Sequence, residues 1–565
     1  MLKKIDHSVI PEDSELTPAM RQFKEAKEEH PDSIIFFRMG DFYETFYEDA
    51  KACAKELDIT LTKRGTKAQI PLAGIPYHAV DTYLPRLVKK GYSVAICEQL
   101  EDPKTAKGVV KRGITRVVTP GTLRTASALD EKSNNFIMSI KDKNEDNQLY
   151  GIAISDLTTG EFMTSQFAEY ENVVSEIARF MPAELLVEES FLYNKENKSL
   201  LDYLKTTGIF INTYDKKTFL YSNAYKTLTS HFDMTSLESL GIEDKDQCII
   251  ASGALLGYLR ETQKIELDNI TRLRSFFPEQ FMIIDAATQR NLEITENLSD
   301  SKDKNTLLSV IDFTKTNMGS RMLKQWIKRP LLNIQKIEER HDIVELLKSN
   351  GVIRRELSDN FNKLYDIERL ISRITLKSAN ARDLIALRES LKLIPDISKS
   401  ITELDIETFN KTHEQKIDGK HLLSRLSSFP DTSVIVKLLE KSLKDEPPLS
   451  VREGNLLKKG YSEKLDELRN ITTSAKTWII QLEEKIKNEL SIPAKVGFNK
   501  VFGYYIEIGR RYSEKVPESY TRKQTTANAE RYITQELKEK EDQILHAQER
   551  INDLEYKLFM ELIET

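Results

Sequence analysis

Seven residues, Arg38-Met39-Gly40-Asp41-Phe42-Tyr43-Glu44, set a cation, two carboxylates and two aromatics around a glycine. The apolar run Ile34 to Phe37 before them reads as a short strand, Gly40 breaks it, and the residues beyond read as a helix. Asp41 can cap that helix, and Glu44, three residues on, can reach back to the cap amide. This is a capping box with Asp in the Ser/Thr place. What it leaves over is Phe42, a large aromatic in the first helical turn beside a carboxylate. Two uses of such a pair stay open. The ring packs into a core, or it is an apolar wedge between stacked bases while the acid accepts a hydrogen bond from a displaced base edge.

The cations form two islands in a chain whose net charge is −6. Between Lys51 and Pro120 there are 13 Lys/Arg against 6 Asp/Glu, and between Lys495 and Thr525 there are 7 against 3. Arg64 in the first island and Lys500, Arg510, Arg511, Arg522 and Lys523 in the second are placed to neutralise backbone phosphates without reading bases. Alternate residues of a strand face opposite sides, so about half of them can point at one partner. The competing reading is solvated surface.

Other chemistry is thin. Asp156, near a strand end, could be the first ligand of a metal-dependent nuclease, although a lone carboxylate there is also an ordinary turn residue. The eight histidines are scattered and suggest no nucleophilic triad. Cys53, Cys97 and Cys248 stand far apart without metal-site spacing, which fits a reducing, cytoplasmic setting. The run Gly-x-x-x-x-Gly-Lys-Ser/Thr, which wraps backbone amides around phosphates, does not occur. No catalytic residue, bound cofactor, metal or ATP hydrolysis is expected of these residues.

The elements that must position these groups follow from periodicity. Thr17 caps a helix to about His30; Tyr92 to Cys97 and Ile114 to Thr119 read as strands around a helix from Val80 to Lys90. After a polar linker at 125–133, a hairpin crosses Thr158-Thr159-Gly160 and strand and helix signals alternate to Asn212, as in a sheet covered by helices. Helical spacing then dominates, with a polar loop near Asn410 to Lys420. Lys495 to Asn499 and Tyr504 to Ile508 alternate like a β-hairpin. Beyond Pro517 there is no Gly or Pro, and Leu537, Ile544, Ile551 and Leu558 recur every seventh residue, so a helix is expected from about Ala527 to Thr565. It would be nearly 60 Å long at about 1.5 Å per residue. It ends without a cap, as a truncated helix would.

At 565 residues the chain exceeds the roughly 250 to 300 residues at which one core stops growing, so several domains are expected. Charged residues make up 30%, and no run of about 20 apolar residues offers a membrane span.

Phe36 to Glu48, Leu57 to Gly65, Ala73-Gly74-Ile75-Pro76-Tyr77-His78, Val117 to Thr122, Thr316 to Arg321 and Gly503-Tyr504-Tyr505-Ile506 together resemble, in order and over nearly the whole chain, the MutS family of DNA mismatch repair proteins. The resemblance implies a multidomain α+β and α architecture. It comprises a mixed α/β mismatch-recognition domain (1–122), a ribonuclease-H-like connector (133–250), a helical core or lever (251–455), a β-rich clamp (456–526) and a second lever helix (527–565). It also implies that Phe42 is the wedge and Glu44 the acid at a mispair approached from the minor groove. The partners it implies are duplex DNA with mispairs or small insertion/deletion loops, a second copy of the full-length protein, and a MutL-type repair protein. ATP and Mg²⁺ would belong to an ATPase domain outside this sequence. A metal-dependent nuclease using Asp156 and a scaffold dimerising through its long helices are the competing readings.

Overall fold

The computed structural model describes the chain except residues 1, 4–9, 11–15, 66–68, 102–105, 107, 126–127, 144–146, 300–302, 413–428, 500–502 and 527. The expected loop near 410–420 therefore falls mostly outside the described residues, as does most of the expected N-terminal arm. The chain divides into two units, residues 1–376 with 395–428, and residues 377–394 with 429–565.

In the first unit, helix α1 (Pro18–Glu29) leads into β1 (Ser33–Met39) and β2 (Phe42–Phe46). Helix α2 (Tyr47–Leu57), β3 (Thr62–Arg64), β4 (Ile70–Pro76), α3 (Val80–Val88), β5 (Ser93–Gln99) and β6 (Arg112–Val118) follow. The sheet order is β3-β4-β2-β1-β5-β6, with β1 and β5 parallel. The centre of strand β1, Ile34 to Phe37, is apolar because both of its faces are covered. Ile34 and Phe36 pack with Ala50, Leu57 and Leu84 on one side, and Ile35 and Phe37 with Met20 and Phe23 of α1 on the other.

The expected helix at Asp41 is a correction. Phe42 to Phe46 is a strand, and the helix begins only at Tyr47. Met39 pairs with Phe42 across the two-residue turn Gly40-Asp41. Gly40 has φ +58° while Asp41 stays at negative φ, the arrangement of a type II′ hairpin turn with glycine first. β2 is hydrogen-bonded on both sides, to β1 and β4. Two ladders outweigh one local cap, and the aromatic and β-branched residues Phe42, Tyr43, Thr45 and Phe46 suit a half-buried strand.

A second sheet has the order β11-β10-β7-β8-β9-β12. It is built from β7 (Phe136–Lys141), β8 (Tyr150–Asp156), β9 (Glu161–Phe167), β10 (Glu184–Glu188), β11 (Phe210–Tyr214) and β12 (Arg274–Ser275). Helices α4 (Tyr170–Phe180) and α5 (Lys198–Thr207) cover one face; α6 (Tyr221–Phe232) and α7 (Asp246–Gln263) cover the other. Helix α7 is buried almost all round and runs through position 250, where the sequence set the end of the connector. A Cβ on Gly151 of β8 would lie 2.1 Å from the Gln247 carbonyl, so glycine lets α7 sit close on the sheet.

Buried Glu184 on β10 anchors the exit from the first sheet. It accepts from Thr119 Oγ1 (2.5 Å), the Gly121 amide (2.9 Å), Tyr258 Oη (2.6 Å) and Asn212 Nδ2 (2.8 Å). The remaining helices of this unit include α8 (Ala286–Asn291), α9 (Leu307–Ile311) and α10 (Asn317–Lys328), the last capped by Thr316. Arg321 of α10 is buried, with bonds to Asp366 (2.6 and 2.8 Å), Glu368 (2.7 Å) and the Glu131 carbonyl (2.9 Å).

The second unit contains helices Glu463–Leu490 and Gln535–Glu564, with a four-stranded antiparallel sheet between them in the chain. Its strands β13 (Ala494–Asn499), β14 (Gly503–Gly509), β15 (Thr521–Thr525) and β16 (Ala529–Ile533) stand in the order β13-β14-β16-β15. The expected hairpin is present, with Val496 opposite Ile506. The expected helix start at Ala527 is a second correction. Residues 529–533 form β16, and the helix begins after the Thr534 cap, whose hydroxyl accepts from the Leu537 amide. Glu530 and Tyr532 face inward with period two, which suits a strand, and the seven-residue seam starts only at Leu537. That seam holds to Ile551 and then drifts through Glu555 to Phe559 and Leu562, as a nearly straight helix with 3.6 residues per turn requires. Glu555, fully buried, accepts from Arg469 and from the amides of Asn455 and Leu457.

Candidate nucleic-acid interface

Along β2 the side chains of Phe42, Glu44 and Phe46 share one face of the first sheet, while Tyr43 and Thr45 take the other. The shared face changes from core to solvent within five residues. Phe46 is buried against Phe23 and Phe37, Glu44 is half-buried, and Phe42 is 47% exposed at the hairpin end. The neighbours on this face are Met39 and Phe37 on β1, and Pro76 and Gly74 on β4.

The hairpin is held from below, so the exposed ring has a firm base. Arg38 Nε donates to the Gly40 carbonyl (2.6 Å), and its guanidinium lies 3.6 Å from the centre of the Tyr77 ring. The Tyr77 amide donates to the Asp41 carbonyl (2.9 Å), and Arg112 Nε to the Arg38 carbonyl (2.7 Å). On the opposite face, the Tyr43 hydroxyl bonds to Glu98.

Arg64, which the sequence offered as a phosphate contact, pairs with Glu44 at 2.9 Å. Burial pushes the Glu44 carboxyl above the usual carboxylate range, against the pull of Arg64 and, more weakly, Arg112. Glu44 is therefore a side chain in an ion pair, and the capping-box role is corrected with the helix that suggested it. From the sequence, Arg112 had no assigned role, and Arg38 and Tyr77 had none as braces. The period-two pattern Phe37, Met39 on β1 was the available signal for the shared face, but pairing between residues 20 to 74 positions apart has no local signature.

Of the second-island cations, Lys500 lies outside the described residues. Arg510 and Arg511 sit in a short turn of helix, Arg510–Lys515, directly after β14, both exposed, with Arg511 over the Tyr512 ring at 4.7 Å. Arg522 is exposed but bonded to Glu530 at 3.2 Å. Lys523 is exposed at a register shift, the extra residue between the Arg522–Tyr532 and Gln524–Arg531 pairs. Arg531, not singled out in the sequence, bonds to Glu507 at 3.0 Å and lies 4.2 Å from the centre of the Tyr505 ring.

Asp156 is fully buried, and its carboxylate accepts from Asn134 Nδ2 (2.8 Å), the Asn135 amide (3.2 Å), the Thr158 amide (2.8 Å) and Thr158 Oγ1 (2.7 Å). It is the last residue of β8, and its carboxylate closes the turn into β9. Among the described residues no group of three or more His, Cys, Asp or Glu could hold a metal ion, and no helix is long and apolar enough to cross a membrane.

Two mixed sheets with helical cover, a set of further helices and a small antiparallel sheet between long helices define a multidomain α/β protein that presents side chains from a sheet face. Residues 17–127 match MutS domain I, residues 135–271 match MutS domain II and residues 287–565 match MutS domain III. Over 97% of its length the chain is 46% identical to the DNA mismatch repair protein MutS of Methanosarcina acetivorans and 45% identical to that of Methanosarcina mazei. It is 42% identical to that of Ruminiclostridium cellulolyticum, also over 97% of its length. It spans 61% of the length of each of these relatives. The chain belongs to the MutS family of DNA mismatch repair proteins.

Proposed function

We propose that the chain binds duplex DNA at mispairs and small insertion/deletion loops, as the mismatch-sensing part of a mismatch repair protein. The observation that carries this is Phe42, a large ring left exposed on a well-braced hairpin, on the same sheet face as a carboxylate flanked by Arg64 and Arg112. A ring on a rigid base can enter a base step from the minor groove, and unstacking is least costly where pairing is already weak. Glu44 then contacts the displaced base. The second-unit sheet acts as a clamp on the backbone through Arg510, Arg511 and Lys523, the long helices act as a lever, and the second sheet with its helices is a ribonuclease-H-like connector. ATP-dependent signalling, dimerisation and recruitment of a MutL-type partner belong to the full-length form. A duplex carrying 2-aminopurine at the mispair tests the wedge directly: its fluorescence should change on binding of the chain and stay unchanged on binding of Phe42→Ala, and identical changes with both proteins would exclude stacking by Phe42.

Glu44 should act on discrimination more than on affinity, because a carboxylate facing phosphates weakens paired-duplex binding and recovers that loss only where it meets a free base edge. Glu44→Gln should bind paired DNA as well as the parent or better. The raised carboxyl also fixes a pH effect. As pH falls, Glu44 is protonated earlier than an exposed glutamate, its repulsion of phosphates disappears, and paired-duplex affinity rises, whereas the Gln variant lacks this rise. Anisotropy titrations across a pH series decide it, and parallel curves for the two proteins would remove Glu44 from the interface.

Each phosphate contact releases condensed counterions, so Arg511→Ala or Lys523→Ala should flatten the log–log salt dependence of binding by about one unit, equally on paired and mispaired duplexes. Arg522→Ala should do less, since Glu530 already offsets its charge. Slopes unchanged in every variant would leave these cations as solvated surface.

A further inference from the structure

The first unit holds a cavity of about 260 Å³ between β7, the end of α4 and α10, with no residue of the first sheet in its lining. The cations lining it are Arg179, Arg321, Lys324, Lys328 and Arg329, against one lining carboxylate, Glu296. Two of the five are already matched, Arg321 by Asp366 and Glu368, and Arg179 by Glu176 at 2.7 Å. Lys324, Lys328 and Arg329 have no carboxylate within ion-pair distance among the described residues.

Their donors are largely unspent. Lys328 is only 7% exposed, and among the described residues its ammonium makes one hydrogen bond, to the Arg179 carbonyl at 3.1 Å. Lys324 donates to Ser133 Oγ at 2.9 Å. The Arg329 guanidinium lies 4.4 and 4.5 Å from the Phe281 and Phe276 ring centres, while its buried Nε and Nη2 donate to no acceptor among the described residues. Arg179, 5% exposed, likewise leaves Nε without an acceptor among the described residues. Burial pulls the Lys328 ammonium down to about 8, helped by the nearby charges of Lys324 and Arg179 and only partly opposed by Glu296.

Cations removed from water without partners are costly, and aromatic stacking fixes Arg329 without meeting its in-plane donors. An oxyanion with several acceptor oxygens meets both needs at once. We propose that this cavity is an anion site for a small phosphate-type oxyanion, inorganic phosphate or pyrophosphate, held by Lys324, Lys328 and Arg329. The depth of Lys328 and Arg179 favours a small mobile anion over the backbone of a duplex, whose phosphates stay at the protein surface. Bound there, the anion would tie β7 and α4 to α10.

The test is a ³¹P NMR titration of pyrophosphate with the 565-residue chain at fixed ionic strength, paired with thermal melting. The parent should broaden the pyrophosphate line saturably, and a melting transition of the chain should move to higher temperature with pyrophosphate. Lys328→Met should weaken binding at least tenfold, Lys328→Arg should retain most of it, and Lys515→Met should leave it unchanged. If Lys328→Met fails to fold, the less buried Lys324→Met gives the same reading. Absence of saturable broadening, or equal broadening by parent and Met variants, would overturn the proposal. So would displacement of pyrophosphate by a short duplex, which would mark the site as a nucleic-acid contact.

Discussion

Lys27→Met should open the first module by about 3 to 5 kcal/mol, the cost of removing one partner from a buried ion pair. Lys27 and Asp49 are 2% and 1% exposed and 2.8 Å apart, joining α1 to α2 across the edge of β1. Asp49 also accepts from the Ile35 amide at 2.9 Å, and Lys27 donates to the Ser33 carbonyl. Without the ammonium, a carboxylate stays buried beside a strand it can no longer hold in charge balance. Because a chain of several modules does not melt in one step, a local probe is needed. Cys53 lies one turn along α2 from Asp49, buried, and its modification by a thiol reagent should speed up by roughly 100-fold or more, which is what about 3 kcal/mol gives in an opening equilibrium. The double variant Lys27→Met with Asp49→Leu should recover part of the loss, since an apolar pair replaces the ion pair while the buried Ile35 amide loses its acceptor. An unchanged Cys53 rate in the single variant would show that the pair contributes little.

The second large effect is on recognition. Phe42→Ala should lose mismatch preference by about 1 to 3 kcal/mol, the range of base stacking on an aromatic side chain, or roughly 5- to 150-fold. The fold should survive, because an exposed ring leaves no core cavity when truncated; Tyr43→Ala, buried on the other face, should instead destabilise the sheet. Phe42→Trp should keep the preference. A folded Phe42→Ala that discriminates as well as the parent would assign the ring to some other purpose.

Much of the fold was readable from sequence where periodicity was strong and long, as in α1, α3, β5, the β8–β9 hairpin and the hairpin at 494–509. It was unreadable where a local pattern competed with a distant ladder. Asp41 and Glu44 satisfied a capping box on paper, yet β4, some 30 residues away, supplied a second ladder that made the segment a strand. Residues 529–533 lacked Gly and Pro and so looked helical, but β14 and β15 pair with them from both sides. The run Phe136–Lys141, buried in the middle of the second sheet, carries no alternation at all, because both of its faces are covered. For the site, residue types and the family motifs singled out Phe42 and Glu44. The partner of Glu44 could not be read, because Arg64 reaches it only through the β2–β4–β3 arrangement. The cation cavity has the same origin: Arg179 and Lys328 stand 149 positions apart, and no spacing in the chain joins them.

The most direct measurement is the affinity of this chain for two duplexes that differ only in one base pair, one matched and one mispaired, titrated side by side over several salt concentrations. Tighter binding of the mispaired duplex at every salt concentration, with parallel salt slopes, is the expected result, because the mispair alters what Phe42 and Glu44 meet and leaves the phosphate contacts unchanged. Equal affinities throughout would contradict mismatch sensing by this chain.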